Sequence, residues 1–395
     1  MDFFEEYVRE LELNAAAALA GNDCLLENVD FTKLLNGEVG SELRRRVSLE
    51  YRQRIGAFFT GETLRHHAFS PIFNSNIDGP VWDPACGAGD LLLSYAKKLP
   101  TFPDIGKTVT SWGEKLYGND IESIFLRAAK ARLVLAAYVR GSRKLDEQEQ
   151  RLQTAFPHIC HENSLLTVRD ITPSEVALNP PFIPIAASNG CEWGNGGVSA
   201  AAVFVDMCLR KAGAGTRIVA ILPDVLRTGS RYERWRKFVR EFAVIKRIDI
   251  YGPFDPQADV DVFILELHIR PERVTALEQR DPWTINAPFS QETIGNRYSV
   301  SVGPVVPHRH KKEGPELAYL HARDATPWGT LADLPPRRQF SGTAHHPPFV
   351  VIRRTSSPSD KFRAIGTIIN CAEPVAVENH LIICKPHDGT IETCQ

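Results

Sequence analysis

Apolar residues recur at helical spacing at Phe4, Val8, Leu11, Ala15 and Leu19, which predicts an amphipathic helix over 2–20 packed on the body of the protein. A second helical region is expected over about 41–54, dense in Arg44, Arg45, Arg46, Arg52 and Arg54. Between about 79 and 270 short β-type runs alternate with helical ones. VWDP precedes a helix from Leu91, KLYGND a helix over 123–138, SEVALNPPF a helix over 199–211, and RIVAILP a helix over 232–242; KRIDIYG and VDVFILELHI follow. That alternation predicts a doubly wound α/β domain. From about 271 the chain turns irregular and proline-rich, with short strand candidates FVVIRR and HLIICKP, which predicts a smaller second domain of mixed or mostly β character. The expected organisation is a helical segment over 1–50, the α/β domain over 51–270 and a C-terminal region over 271–395.

Composition sharpens this only a little. Of 395 residues 43% are hydrophobic and 24% charged, an ordinary globular balance and not a disordered one. Lys plus Arg is 46 against 48 acids, a net charge of −2, so any polyanion partner must meet a local basic patch. One such stretch is 301–363, with ten Lys and Arg against five acids. The eight cysteines are scattered without a CxxC pair, which speaks against a disulfide framework or structural zinc. Five acids precede the Ala-rich part of the first helix, unlike a signal peptide, and no apolar run reaches the ~18 residues of a membrane span. A cytoplasmic protein is expected. His66-His67 and His345-His346 are adjacent pairs that point apart in regular structure, so no metal is expected.

The chemistry concentrates at strand ends. In VWDPACGAGDLLL a strand runs into Asp83-Pro84-Ala85-Cys86-Gly87-Ala88-Gly89 and then a helix. Glycines at such a turn let the backbone approach a ligand, and the helix start offers free N–H groups to anionic atoms. Neither GxGxxG nor GxxxxGK[ST] is present, so NAD and ATP lose ground. The next strand, KLYGND, delivers Asp120, which in a Rossmann-like sheet accepts from ribose hydroxyls. A nucleoside-containing cofactor fits both features.

At the end of SEVAL stands Asn179-Pro180-Pro181-Phe182. Two prolines stiffen the loop and remove two N–H donors, leaving acceptors. The Asn179 side-chain carbonyl and the Pro180 backbone carbonyl could hold both hydrogens of an exocyclic amine, drawing its lone pair toward an electrophile. Phe182 offers an aromatic face to a base drawn out of a duplex, where stacking offsets about 1–3 kcal/mol per base.

DPACGAGD, GNDIE and NPPF in this order, preceded by RIGAFFTGETL, resemble the gamma-type adenine-N6 DNA methyltransferases, including modification subunits of restriction systems, over roughly 50–270. The resemblance implies a Rossmann-like methyltransferase domain, S-adenosylmethionine as cofactor and a target-recognition role for 271–395. It implies Thr60 near the methionine carboxylate, Asp83, Pro84, Ala85, Cys86, Gly87 and Gly89 along the methionine moiety, and Asp120 with Ile121 at the ribose. Asn163, followed by Ser164, stands where that family usually has an acid holding the cofactor's adenine, and its side-chain carbonyl can still accept. Asn179, Pro180, Pro181 and Phe182 match the catalytic positions, with Phe in place of Tyr at the last.

The implied reaction is in-line methyl transfer to a neutral amine, needing no covalent enzyme intermediate and no metal. The expected partner is double-stranded DNA with the target adenine flipped out, together with a specificity or restriction subunit; no membrane is expected. Arg231, Arg234 and Trp235 in RTGSRYERWRKFVREF form a candidate phosphate-facing helix, and Arg353-Arg354 in PPFVVIRRTSSPSDKFR a candidate DNA contact. IAASNGCEWGNGGVS reads as a flexible loop able to close over substrate. Two rivals stay open: methylation of an RNA base or a protein glutamine, and a catalytically silent DNA-binding subunit.

Overall fold

The computed structural model describes all residues except 1, 57–59, 71–76, 146–150, 153, 168–170, 256–257, 276–281, 284–292, 308–309, 335, 355–361 and 363. Ala57, Phe58 and Phe59 of the AFFTGE element lie outside the described residues, as do Arg309, Lys361, Arg363 and the Ser/Thr cluster after Arg354. The chain divides into two compact units, Met1–Ile285 and Asn286–Gln395.

The first unit is built on seven strands: β1 (Val81–Asp83), β2 (Leu116–Asp120), β3 (Ile159–His161), β4 (Glu175–Leu178), β5 (Arg217–Pro223), β6 (Ala243–Asp255) and β7 (Ala258–Ile269). They lie side by side in the order β3-β2-β1-β4-β5-β7-β6. The first five are parallel and β7 runs antiparallel between β5 and β6. This is the doubly wound α/β fold that the alternating pattern predicts. The parallel strands are covered on both faces, so β4 and β5 are almost continuously buried.

Five longer helices cover the sheet: α1 (Asp2–Ala20), α2 (Asp90–Ala96), α3 (Ile105–Gly113), α4 (Ser123–Val139), α5 (Ala200–Lys211), with α6 (Glu233–Phe242) as a sixth. The chain's α4 is apolar nearly all round because it is enclosed, and it packs on α1, where Phe125 meets Phe4 edge-on at 5.9 Å. Arg127 on α4 is clamped by Glu5 and Glu12 of α1, both at 2.6 Å. The helical region expected at 41–54 is two helices, Glu38–Arg46 and Leu49–Ile55, because Val47 is extended and ends the first. Sequence periodicity did not separate out α3, capped by Asp104, or β3, which is only three residues long.

Where the pattern placed the domain change at 271, the first unit runs on to Ile285. Trp283 is buried beside Trp235 and Phe263, at 5.6 and 6.3 Å between ring centres, and so packs into the first unit. Within the second unit β8 (Tyr298–Val302), β9 (Glu316–Leu320), β10 (Thr330–Leu331), β11 (Arg337–Gln339), β12 (Phe349–Arg353), β13 (Gly366–Ile369), β14 (Val375–Val377) and β15 (Leu381–Pro386) form two sheets, β8-β15-β12-β13-β10 and β11-β9-β14. The β character expected of the C-terminal part is found. No helix among the described residues is long and apolar enough to cross a membrane.

One buried ion pair ties the glycine loop to the N-terminal segment. Arg132 of α4 is fully buried; it donates to Ala88 O at 2.6 Å and Leu34 O at 3.0 Å and pairs with Asp90 at 2.9 Å. Arg65 approaches the same carboxylate at 3.8 Å. Removing one partner of such a group strands a charge and several carbonyls out of water. Arg132→Met is expected to lower stability by about 3–5 kcal/mol, read as a shifted denaturant midpoint by tryptophan fluorescence.

Candidate functional site

The carboxyl ends of β1 and β4 diverge because the chain leaves β1 toward β2 and β3 on one side and returns through β4 on the other. A crevice opens at such a point in any doubly wound sheet. Here its walls are the loop after β1, the tips of β2, β3 and β4, and Ile55 and Gly56 from the N-terminal segment.

The loop after β1 is fixed from three directions. Asp83 is buried, which pushes its carboxyl well above the usual range, and it caps the turn by accepting from Ala85 N at 3.2 Å. Cys86 N donates to Asn119 O at 2.9 Å, zipping the loop to β2. The Cys86 thiol is buried against Gly118, where a Cβ would come within 2.9 Å of its sulfur. Burial raises its pKa, so this cysteine fills space and is no nucleophile. Gly89 takes φ +81°, and a Cβ there would sit 3.0 Å from Ala129 of α4.

At the tip of β2, Asp120 accepts from Gly87 N and from Glu122 N, both at 2.9 Å. Desolvation raises its pKa to about 6, against the lowering effect of those backbone hydrogen bonds. Ile121 beside it is 55% exposed and lines the crevice.

The tip of β3 holds a residue that sequence reasoning missed. Asn163 lines the crevice, but its Oδ1 already accepts from Leu165 N at 3.0 Å. The neighbouring Glu162 also lines the crevice, steered by a cross-strand chain: Trp82 Nε1 donates to Asn119 Oδ1 at 2.9 Å, and Asn119 Nδ2 donates to Glu162 Oε2 at 3.2 Å. The signal was the acid one place before Asn163 in HENS. Ser164 is buried and donates to Pro84 O at 2.7 Å, so it braces the glycine loop.

At the tip of β4, Asn179 Nδ2 donates to Thr60 Oγ1 at 2.8 Å. Its Oδ1 is buried and finds no hydrogen-bond partner among the described residues. Thr60 is itself buried, and its oxygen serves the amide. Pro181 lies under Gly56, whose φ of +68° and lack of a side chain are both required, since a Cβ would stand 2.4 Å from the proline ring. Phe182 rests edge-on against Phe254 at 5.4 Å.

The expected DNA contacts fare unevenly. Arg231 and Arg234 are exposed, and Arg231 donates to Gly197 O. Trp235 is fully buried, donating to Ala202 O at 3.1 Å, so it anchors α6 and cannot face a phosphate. In the second unit Arg353 is half-buried and donates to Ala325 O at 3.2 Å, while Arg354 is exposed. The loop read as flexible is pinned: Pro184–Ala186 pairs with Gly197–Ser199, and buried Trp193 donates to Asp206 at 2.8 Å. His67 pairs with Asp249 at 2.8 Å. No group of three His, Cys, Asp or Glu among the described residues is placed to hold a metal ion.

No family model matches the sequence, and neither does any curated protein. Similar solved structures include the type IIL restriction-modification enzyme MmeI in complex with DNA, at 12% identity and a TM-score of 0.50 over 88% of this chain and 65% of that one. The type IIG restriction endonuclease BpuSI follows at 16% identity and 0.47, over 88% and 56%. The methyltransferase subunit of a type I restriction-modification system from Streptococcus thermophilus matches at 14% and 0.40, over 61% and 51%. The chain thus spans less than two thirds of each of these three. At such identities the likeness is one of fold, the Rossmann-like doubly wound sheet described above.

Proposed function

We propose that the chain is a site-specific DNA methyltransferase that moves a methyl group from S-adenosylmethionine to the N6 amine of adenine, in a restriction-modification or defence system. The observation that carries this reading is the buried, unpartnered Oδ1 of Asn179 at the mouth of β4. A buried carbonyl without a partner costs about 1–3 kcal/mol, a cost that a donor arriving with the substrate removes. An amine with two hydrogens is such a donor, and the Pro180 carbonyl next to it can take the second.

The crevice residues fit the cofactor. Asp120 keeps lone pairs for ribose hydroxyls beyond its two backbone donors, and Ile121 offers an apolar side to a flat base. Glu162, beside Asn163, supplies a carboxylate acceptor for an exocyclic amine, which weakens the case for a silent subunit. Gly87, which lines the crevice, keeps the loop open to close approach. When bound, the sulfonium supplies the methyl electrophile.

The chain's own contribution is placement and polarity. Asn179 Oδ1 and Pro180 O hold the two amine hydrogens, so the nitrogen lone pair points away from them. As positive charge develops on nitrogen, both acceptors are better partners than in the ground state. Neither is basic enough to keep the released proton, which passes to solvent. Phe182, braced by Phe254, stacks on the extruded base. The exposed Arg231, Arg234 and Arg354 are proposed to meet DNA phosphates, with a specificity or restriction subunit as partner.

Labelled-methyl transfer tests the reading, with unmethylated DNA, RNA and protein offered in parallel. Label recovered as N6-methyladenine in DNA, lost about 100-fold in Asn179→Ala, is the expected result. Label recovered only in RNA or protein overturns it.

Asp120 generates a pH prediction. Ribose donors favour its ionised form, so binding releases the proton that a group with a pKa of about 6 holds below that pH. Affinity is therefore full above pH 7 and is lost as pH falls through 6, reaching roughly tenfold weaker by pH 5. Calorimetric titration with S-adenosylhomocysteine checks this, and Asp120→Asn should flatten the profile between pH 5 and 7.

A further inference from the structure

We infer that Thr60 is a positioning residue for catalysis, acting through Asn179 by fixing the place of its side-chain amide at the tip of β4; this rests on the methyl-transfer reading above. The Asn179 amide has one oxygen and one nitrogen, nearly equal in size and opposite in function. With Oδ1 forward it accepts from an amine. With Nδ2 forward it presents donors to donors, and the reaction stops.

Thr60 Oγ1 is the partner that the structure gives to Nδ2, at 2.8 Å. The contact is short, Thr60 is only 4% exposed, and water competes poorly for its hydroxyl. With Nδ2 in that contact, Oδ1 is the end left over, and that oxygen is the buried one without a partner among the described residues. The backbone gives the amide no comparable anchor: Pro180 and Pro181 bring no N–H to the loop. Gly56 closes directly on Pro181, so the same loop is braced at a second point. The threonine therefore acts through the Asn179 amide and not on the reacting nitrogen itself, in addition to the role at the methionine end implied by the sequence resemblance.

Thr60→Val keeps the shape and removes the hydroxyl, while Thr60→Ser keeps the hydroxyl and removes a methyl group. Three quantities are measured on the full chain: kcat for methyl transfer to DNA at saturating cofactor, calorimetric Kd for S-adenosylhomocysteine, and the thermal midpoint. The expected result is a fall of about tenfold or more in kcat for Thr60→Val, with Kd changed less than about threefold and kcat restored within about threefold by Thr60→Ser. A Thr60→Val enzyme whose kcat is unchanged, or whose loss lies entirely in cofactor affinity, overturns the inference. So does a Thr60→Ser enzyme as impaired as Thr60→Val, or a fall in thermal midpoint that accounts for the lost activity. A wild-type chain that labels no DNA under these conditions removes the function proposed above, which is read separately from the comparison of variants.

Discussion

The site depends on one topological constraint, the reversal of strand order at β1. Parallel strands place all their carboxyl ends on one edge, and a sheet wound outward in both directions cannot cover the edge at the reversal. The residues that end β1, β2, β3 and β4 are therefore brought together although nearly a hundred positions separate Asp83 from Asn179. The glycine loop, Asp120, Glu162 and Asn179 share one crevice for that reason, and none needs the others as sequence neighbours.

Polarity at that edge is set by burial and by backbone donors. Asp83 and Asp120 are both raised by desolvation, yet they do different work. Asp83 is fully enclosed and spends its carboxyl on the turn, while Asp120 borders the crevice with lone pairs to spare. Behind them Arg132 neutralises Asp90 and gathers carbonyls from the loop and the N-terminal segment, so the helical region before residue 56 is structurally part of the sheet domain. That coupling explains why Thr60 and Gly56, distant in sequence from the strands, can be placed on the NPPF loop.

Much of this was legible in the sequence because the signals are local. Glycines at a strand-to-helix turn, an acid ending the second strand and paired prolines after the fourth each carry their geometry with them. What was not legible depends on partners elsewhere in the chain. Trp235 sits in an arginine-rich helix and reads as an interface residue, yet the helix turns that side inward onto Trp283, which lies in irregular sequence with no periodicity to announce it. The glycine-rich loop after Phe182 looks mobile, but a single tryptophan, Trp193, finds Asp206 on the following helix and pins it. Glu162 was hidden by Asn163, because only the chain Trp82, Asn119 and Glu162 across three strands decides which of two adjacent side chains is held at the crevice.

The carbonyl of Asn179 is one of several buried polar atoms without a hydrogen-bond partner among the described residues, and it is informative because Asn179 lines the crevice. Elsewhere near the crevice polar groups are matched: Ser164 to Pro84, Asn119 to two neighbours, Asp120 to two backbone amides. Oδ1 of Asn179 has no such donor among the described residues. On the methyl-transfer reading, an internal donor there would occupy the place of the substrate amine. Stability given up at one acceptor, with the amide's other end firmly held, is the pattern expected where a site is organised for a partner that arrives later. The rigid prolines on one side and the buried threonine on the other keep that acceptor in place without quenching it.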